Sequence, residues 1–282
     1  MFIKTNADAM RSGGMALVTG ATSGIGRAFA RQLAASGLHL ILVARRRAVL
    51  DEFARELRLA YGIRCFIIEA DLTSAAAAHE LYEQIVWEGW QVDLLVNSAG
   101  VARFVDFSSP ETVADQDTVM LNIRVPLELM HCLVPAMRAR GHGGVICVGS
   151  LLADQRAPYR ASYDASRGFM ATLAHSVRKE FSGSGVDLLL IVPGLTCAGT
   201  LANREIAQEL PFHESSPEGV ASLALHALGQ CEKVSQRWLR SISKLGSRLM
   251  VLCNGKKIDR LLLSLSPVKK DGYLRDVSRK QY

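Results

Sequence analysis

A glycine-rich turn between an apolar strand and an apolar helix constrains this chain more than any other stretch of its sequence. The strand is predicted over residues 15–18, and the helix begins near Ile25 and continues through Leu33. The turn between them, residues 20–26, has the spacing G-x-x-x-G-x-G. Glycines let a backbone approach phosphate groups, and the free amides at a helix N-terminus attract negative charge. The turn therefore favours binding of a nucleotide pyrophosphate, with a simple tight turn as the alternative.

Short apolar runs alternate with helical patterns along the first 230 residues. Further strands are predicted at residues 38–43, 63–69, 92–96, 143–148 and 186–192, and helices at 46–60, 73–87 (capped by Thr73 or Ser74), 110–140, 158–181 and, opened by Ser216, 217–230. Because each strand is apolar on both faces, the pattern indicates a parallel sheet covered by helices on both sides. Right-handed crossovers make it a doubly wound α/β sheet, which binds ligands at the carboxyl ends of its strands.

The composition bounds the size, the compartment and the metal content of the protein. A chain of 282 residues that is 49% hydrophobic suits one large α/β domain with an extension. No run approaches the ~20 apolar residues that span a bilayer, and residues 1–13 look like a flexible leader without the apolar segment of a secretory signal. Six scattered cysteines without C-x-x-C spacing indicate reduced thiols and no metal site. We therefore expect a cytoplasmic protein.

The net charge of +6 belongs to the C-terminal extension, residues 232–282, which carries 13 Lys and Arg against 4 Asp and Glu. An apolar stripe lies beside a basic face, as in a basic amphipathic helix: Trp238, Leu239, Ile242, Leu245 and Leu249 beside Arg237, Arg240, Lys244 and Arg248. Three interpretations remain open: a solvated cover over the core, peripheral contact with an anionic membrane, or attraction of a phosphate-bearing substrate. Nucleic-acid binding fits poorly, because aromatic residues are few and the basic residues lie on an appendage.

Several motifs occur in a fixed order over residues 14–230. They are TGATSGIG at 19–26, Asp71 after the third strand, NSAG at 97–100, Asn122, Ser150, Tyr163 thirteen residues later, and Pro193-Gly194 after the sixth strand. In these motifs the chain resembles the classical short-chain dehydrogenases/reductases. The resemblance implies a Rossmann-type sheet of about seven strands in a domain over residues 14–231, a nicotinamide cofactor, and a homodimer or homotetramer. It implies cofactor contacts from Gly20, Thr22, Ser23, Gly24, Ile25, Gly26, Asp71, Leu72, Asn97, Ala99, Gly100, Tyr163, Arg167, Pro193, Gly194 and Thr196.

Three side chains are expected to act on a carbonyl group. Hydride transfer to a carbonyl leaves an alkoxide, and the phenol of Tyr163 can protonate it if nearby positive charge lowers its pKa from about 10 toward neutrality. Ser150 would hydrogen-bond the carbonyl oxygen, Arg167 would supply the positive charge, and the resemblance gives Asn122 a water of the proton relay. Singly, Ser150 could be a strand-end cap, Tyr163 a half-buried helix aromatic and Asn122 a satisfied core amide. Their common spacing favours a catalytic set.

One position departs from the family pattern. The motif Y-x-x-x-K reads Tyr163-Asp-Ala-Ser-Arg167 here. In the family the lysine binds the nicotinamide ribose, lowers the tyrosine pKa and passes a proton toward water, whereas arginine keeps its charge and is effectively never deprotonated. Two hypotheses follow: a working reductase adapted to Arg167, or a catalytically weak protein that binds NADP(H) in a regulatory or complex-forming role.

The cofactor and substrate are predicted from two sets of residues. No acidic residue follows the second strand, and Arg45, with Arg46 and Ser23, can pair with a 2′-phosphate, which favours NADP(H) over NAD(H); a basic surface turn is the alternative. Apolar residues near the expected site favour a lipophilic ketone or β-ketoacyl substrate unless they merely pack: Leu151, Leu152, Pro158, Tyr159, Leu195 and Leu201. The sequence therefore predicts an NADPH-dependent oxidoreductase that reduces a carbonyl to an alcohol.

Overall fold

The computed structural model describes residues 13–102, 106–108, 112–150, 159–194 and 216–230, and the backbone of 233–235. Within them, seven strands form one parallel sheet: β1 Met15–Thr19, β2 His39–Ala44, β3 Cys65–Glu69, β4 Leu94–Asn97, β5 Gly143–Val148, β6 Val186–Val192 and β7 Lys233–Ser235. The helices are α1 Gly24–Ala35, α2 Arg47–Tyr61, α3 Ala77–Trp87, α4 Thr112–Val119, α5 Val125–Arg140, α6 Ala161–Glu180 and α7 Pro217–Ala227. A π-helical turn, Met120–Arg124, joins α4 to α5.

The strand order creates a crevice at the carboxyl edge of the sheet. The order is β3-β2-β1-β4-β5-β6-β7, so successive strands are added on one side up to β3 and on the other side from β4 onward. The reversal lies between β1 and β4, where Val18 pairs with Val96 in register. Open α/β sheets bind their ligands at such a reversal. The predicted doubly wound parallel sheet is confirmed.

Two hydrophobic layers cover the sheet. On one face α1, α2 and α7 bury residues such as Phe29 and Phe53, both with 0% exposure. On the other face α3, α5 and α6 bury residues such as Leu129 and Met170. Strands β1 to β6 pack against both layers, which explains why they are continuous apolar runs rather than alternating patterns.

The long helical stretch that ends in α5 has the length and apolar composition of a membrane span. Among the residues that the structure describes, Asp115–Arg140 is the one helix long and apolar enough to cross a membrane. This stretch is not an uninterrupted apolar run, because it contains polar residues as well. Leu129 and Met137 on α5 are fully buried against the sheet. A core helix is expected to have such a face, so the composition by itself is weak evidence for a membrane span.

One predicted helix cap is wrong and another is confirmed. Helix α3 begins at Ala77 without a side-chain cap, because the amide and hydroxyl of Thr73 donate instead to the Asp71 carboxylate at 3.1 and 2.9 Å. The Ser216 side chain does cap α7, accepting a hydrogen bond from the Gly219 amide at 3.1 Å.

The structure describes only three residues, 233–235, of the predicted C-terminal extension. Strand β7 pairs with β6 through residues 233–235, so the sheet continues past the boundary predicted at residue 231. Residues 236–282, with the predicted amphipathic stripe, lie outside the described residues, as do residues 1–12 of the predicted leader.

Candidate active site

The glycine turn packs directly against the residues that follow β4. Gly20 has φ of 68°, and a Cβ built on it would lie 3.0 Å from the Ala99 backbone. A Cβ on Gly26 would lie 2.4 Å from the carbonyl oxygen of Gly20, closer than real side chains approach. Both positions therefore require glycine, one for its backbone conformation and the other for close packing. The turn leads directly into the N-terminus of α1, where free amides favour an anion.

Replacing Gly26 by alanine is expected to displace the turn. The new Cβ would collide with the Gly20 carbonyl, and overpacking of this kind costs about 1–3 kcal/mol. We expect Gly26→Ala to lower the melting temperature by several degrees and to weaken NADPH binding about tenfold or more, because the amides predicted to hold the phosphates lie in this turn.

Gly168→Ala is the matched control for this prediction. Gly168 lies on α6, and a Cβ there meets no atom within 4 Å. Alanine is favoured over glycine in a helix by about 0.5–1 kcal/mol, so this variant should keep both its stability and its NADPH affinity. Equal behaviour of the two variants in thermal melts and NADPH titrations would contradict the packing argument.

Thr19, at the end of β1, fixes the chain that follows β4. Its hydroxyl donates to the Val96 carbonyl at 3.3 Å and accepts from the amides of Ser98 and Ala99 at 3.1 and 3.0 Å. Thr19 was missed by the sequence analysis, although it opens the TGATSGIG motif. It holds the NSAG segment against the glycine turn.

Asn97 ends β4 with an amide oxygen that has no protein partner. Its residue exposure is 5%, and Oδ1 is buried without a hydrogen bond among the described residues. Its Nδ2 makes one long contact, of 4.0 Å, with the Sγ of Cys147 on the neighbouring strand. Burial raises the pKa of the Cys147 thiol to about 12, so this cysteine is protonated and unreactive. The free oxygen fits a site that a bound molecule or water completes.

Arg45 and Asp71 lie near each other at the ends of β2 and β3. The hydrogen bond from the Thr73 amide, then the Thr73 hydroxyl and the charge of Arg45, hold the pKa of Asp71 below its usual value. Arg45 and Asp71 are both exposed, while Leu72 beside them is 4% exposed. The predicted 2′-phosphate contact and the predicted adenine contact therefore occupy adjacent strand ends.

Arg167 is held against the ring of Tyr163. Its Cζ lies 5.2 Å from the centroid of the Tyr163 ring, within the range of a cation–π contact. Its Nη1 donates to the carbonyl of Val148 at 2.8 Å, which ties α6 to the end of β5. Its Nη2 lies 2.6 Å from the point where a Cβ of Gly100 would be. The guanidinium therefore fills the space between α6 and the ends of β4 and β5.

The Nε of Arg167 is buried and, within the described ranges, makes no hydrogen bond. One donor of a permanent cation thus remains available inside the site. Ser150 follows β5 two residues after Val148 and is half-buried. Ser150 therefore follows the same strand end that Arg167 contacts, and the Tyr163 ring lies beside Arg167.

Asn122 links the segment after β4 to the helix of Tyr163. It lies in the π-helical turn with 1% exposure, accepts from the Val101 amide at 3.0 Å and donates to the Val101 carbonyl at 2.9 Å. It also donates to the Ser166 hydroxyl at 3.1 Å, which donates in turn to the Tyr163 carbonyl at 2.7 Å. Both Asn122 amide hydrogens are therefore used by protein atoms. No sequence signal pointed to Ser166.

The remaining predicted residues divide between the described and the undescribed parts of the chain. Thr22, Ser23, Gly24 and Ile25 lie in the turn and first helical residues, and Pro193 and Gly194 follow β6 at the same edge. Thr196, and with it Leu151, Leu152, Pro158, Leu195 and Leu201, lie outside the described residues. Within the described ranges, no group of three or more His, Cys, Asp or Glu side chains is placed to hold a metal ion.

A comparison with protein families identifies the family to which this chain belongs. Residues 14–209 match the model of the short chain dehydrogenase family. The chain belongs to this family. As a short-chain dehydrogenase it is a member of an oxidoreductase family, and the predicted enzyme class is confirmed at that level.

Individual relatives include enzymes and a protein described as inactive. The chain is 28% identical to the 7beta-hydroxysteroid dehydrogenase of Collinsella aerofaciens, over 92% of this chain and 93% of that protein. It is 27% identical to the inactive hydroxysteroid dehydrogenase-like protein 1 of Homo sapiens, over 84% and 72% of the two chains. Other curated relatives are longer, and the chain spans 18% of the length of one and 64% of another.

A solved structure of similar fold contains the predicted cofactor type. A 3-oxoacyl (acyl-carrier-protein) reductase from Agrobacterium tumefaciens C58 with NADP bound superposes with a TM-score of 0.72. The sequence identity is 25%, over 79% of this chain and 92% of that chain. A protein of the same fold and 25% sequence identity therefore binds a nicotinamide cofactor.

Proposed function

We propose that this short-chain dehydrogenase is an NADP(H)-dependent reductase that converts a lipophilic ketone or β-ketoacyl compound to an alcohol. The observation that carries the proposal is the position of Arg167, with its guanidinium beside the Tyr163 ring and bound to the Val148 carbonyl. Proton donation to an oxygen anion gives both side chains a role.

The residues present fit a dinucleotide. Gly20 and Gly26 let the turn pack tightly against the Ala99 backbone at the start of α1, and Asn97 Oδ1 is a buried acceptor without a hydrogen bond among the described residues. Gly20 to Gly26 and the start of α1 would hold the pyrophosphate, Asp71 and Leu72 the adenine, and Arg45 the 2′-phosphate. When bound, the nicotinamide supplies the hydride to the carbonyl carbon.

Side chains of the protein then bind and protonate the carbonyl oxygen of the substrate. The Ser150 hydroxyl donates a hydrogen bond to the carbonyl oxygen and fixes its position. The Tyr163 phenol donates its proton to the same oxygen as negative charge develops there. Arg167 favours the phenolate that remains, because its charge is permanent and its guanidinium is anchored. Since arginine does not release a proton, the proton that Tyr163 gives up would be replaced from water and not through the side chain of residue 167.

The alternative is a catalytically weak protein that binds NADP(H) in a regulatory or complex-forming role. It is supported by the arginine at the family's lysine position and by the existence of an inactive relative of similar sequence. Oxidation of NADPH by the wild-type chain when a lipophilic ketone is added, and its absence in Tyr163→Phe, decides between the two functions.

Arg45→Asp is expected to reverse the cofactor preference. A charged hydrogen bond to a phosphate contributes about 1.5–3 kcal/mol, so NADPH binding should weaken about 10- to 100-fold. NADH, which lacks the 2′-phosphate, should change by less than about threefold.

Arg64→Asp provides the control for charge alone. Arg64 is exposed and precedes β3, at the opposite edge of the sheet from Arg45. Fluorescence titrations of NADPH and NADH should show no change in the ratio of the two affinities. Equal losses of NADPH and NADH binding in Arg45→Asp would rule out the 2′-phosphate contact.

The proposal extends to the assembly and the cellular location of the protein. We propose a homodimer or homotetramer, since Val119 and Phe169 are apolar side chains that are 47% and 38% exposed on the helical layer around the site. We propose a cytoplasmic location with peripheral membrane contact through the basic residues of the 232–282 extension.

A further inference from the structure

Buried polar side chains are concentrated around the first turns of α6. Four residues that lie at the start of this helix, in it or in contact with it are no more than 7% exposed: Asn122, Arg160, Asp164 and Ser166. Burying a polar group costs free energy unless the group is hydrogen-bonded, and burying a charge costs more. The same turns carry Tyr163 and Arg167, so this cost is met where the candidate site needs a fixed geometry.

Arg160 and Asp164 form an ion pair that is almost completely buried. The side chains are 1% and 7% exposed, and the Nη2 of Arg160 donates to both carboxylate oxygens of Asp164, at 2.8 and 3.1 Å. The Asp164 amide also donates to the Arg160 carbonyl at 2.9 Å. Backbone and side chains therefore close the first turn of α6 together, and Tyr163 lies inside this turn, one residue before Asp164.

Helix stability alone does not account for this pair. Arg160 is the N-cap residue of α6, and an arginine side chain has no acceptor with which to cap a helix amide. A cation at a helix N-terminus also opposes the helix dipole, and a pair with the basic residue first is the less favourable order. Because both charges lose their hydration, apolar side chains of similar volume often stabilise a protein as well as such a pair does.

A second contact restrains the same turn. The Ser166 hydroxyl donates to the Tyr163 carbonyl at 2.7 Å and accepts from the Nδ2 of Asn122 at 3.1 Å. The ion pair holds the residue that follows Tyr163 and the residue three positions before it, whereas Ser166 holds the carbonyl of Tyr163 itself. The main chain that carries the phenol is therefore restrained on both sides along the sequence.

We propose that Arg160 and Asp164 are positioning residues, which fix the first turn of α6 so that the Tyr163 phenol meets the carbonyl oxygen of the substrate. This inference rests on the proposed reductase function and adds two residues that act in it through Tyr163. Proton donation depends steeply on position, since a displacement of about 1 Å can lower a rate about 100-fold. An interaction needed only when the proton moves affects kcat and leaves substrate binding nearly unchanged.

The test replaces this buried pair and an exposed pair of the same kind in the full chain. Arg160→Met leaves the Asp164 charge buried without this partner, whereas Arg160→Met/Asp164→Leu removes both charges. Arg47 and Asp51 have the same spacing at the start of α2, with side chains 56% and 55% exposed, so Arg47→Met/Asp51→Leu is the matched control. The measurements are the melting temperature, the NADPH affinity, hydrogen exchange of the amides of residues 161–167, and kcat and KM. The substrate is the ketone that wild type reduces fastest in a panel containing acetophenone and benzophenone.

The double variant is expected to separate stability from catalysis. Arg160→Met should melt at a lower temperature than wild type, and Arg160→Met/Asp164→Leu should recover most of that loss, because no unpaired charge stays buried. In both variants kcat should fall about 10- to 100-fold, with KM and NADPH affinity within about threefold of wild type. Amide exchange over residues 161–167 should be faster in both. The exposed control should match wild type in every measurement.

The outcomes separate this inference from the proposed function. A wild-type chain that binds NADPH but oxidises it with no ketone of the panel would refute the proposed function, and amide exchange would still test the restraint. Recovery of both melting temperature and kcat in Arg160→Met/Asp164→Leu would overturn the positioning role, and wild-type amide exchange in that variant would overturn the restraint itself. If the double variant does not fold, Arg160→Lys is compared with Arg160→Met. Faster turnover with lysine would support the inference, and equal kcat would overturn it.

Discussion

The variant Tyr163→Phe is expected to lose ketone reduction by about 10²- to 10⁴-fold, the usual contribution of a positioned proton donor. Phenylalanine keeps the ring beside Arg167 and removes only the phenolic hydroxyl. The hydride acceptor then gains negative charge on its oxygen without a proton from the protein. NADPH binding should stay within about threefold of wild type, because the turn, Arg45 and Asn97 are untouched.

Tyr82→Phe is the matched control for the loss of a phenolic hydroxyl. Tyr82 is a partly buried tyrosine on α3 that packs against the core on one face of the sheet. This variant should retain its turnover. Steady-state rates at saturating NADPH, measured with a panel of lipophilic ketones, provide the comparison. Wild-type turnover in Tyr163→Phe would remove Tyr163 from the mechanism.

Substitutions at Arg167 are expected to give graded losses. Arg167→Met removes the charge beside the Tyr163 ring and the bond to the Val148 carbonyl, so kcat should fall about 10- to 100-fold. Arg167→Lys keeps a positive charge but cannot reproduce the planar guanidinium that contacts Val148 and fills the space at Gly100. We expect the turnover of Arg167→Lys to be equal to that of wild type or lower by up to about tenfold.

Arg178→Lys separates catalysis from packing in this comparison. Arg178 lies on the same helix, and its Nη1 donates to the Leu188 carbonyl of β6 at 3.1 Å. This hydrogen bond is therefore a second link between α6 and a strand, and it lies outside the candidate site. Arg178→Lys should change the melting temperature about as much as Arg167→Lys and leave kcat unchanged. An Arg167→Lys variant that is faster than wild type would favour the catalytically weak protein instead.

The sheet could be predicted from the sequence because its strands are buried on both faces. Runs such as residues 38–43 and 186–192 are apolar throughout, and each lies within a residue or so of an observed strand. The carboxyl edge was predictable too, since polar and glycine residues follow each run. The helix start at residue 73 was predicted wrongly because the Thr73 hydroxyl binds Asp71 rather than a helix amide. Short polar side chains of this kind serve turns as readily as caps.

The chemistry of the site was less accessible to sequence reasoning than its location. Spacing placed Ser150, Tyr163 and Arg167 together, but it gave no indication that Arg167 binds the Val148 carbonyl. The hydrogen bonds from Asn122 to Val101 and Ser166 depend on the π-helical turn, which has no sequence pattern. A backbone carbonyl can accept from any donor that the fold brings to it. Such contacts therefore require the three-dimensional structure.

Single-turnover oxidation of bound NADPH tests most directly whether Arg167 belongs to a working reductase. The chain is loaded with NADPH in a fluorescence titration, a panel of hydrophobic ketones is added, and the loss of nicotinamide absorbance is followed for wild type and Arg167→Lys. The reductase account predicts tight NADPH binding and oxidation by at least one ketone in wild type, with Arg167→Lys no faster. Tight binding without oxidation in wild type, together with turnover that appears only in Arg167→Lys, would contradict it.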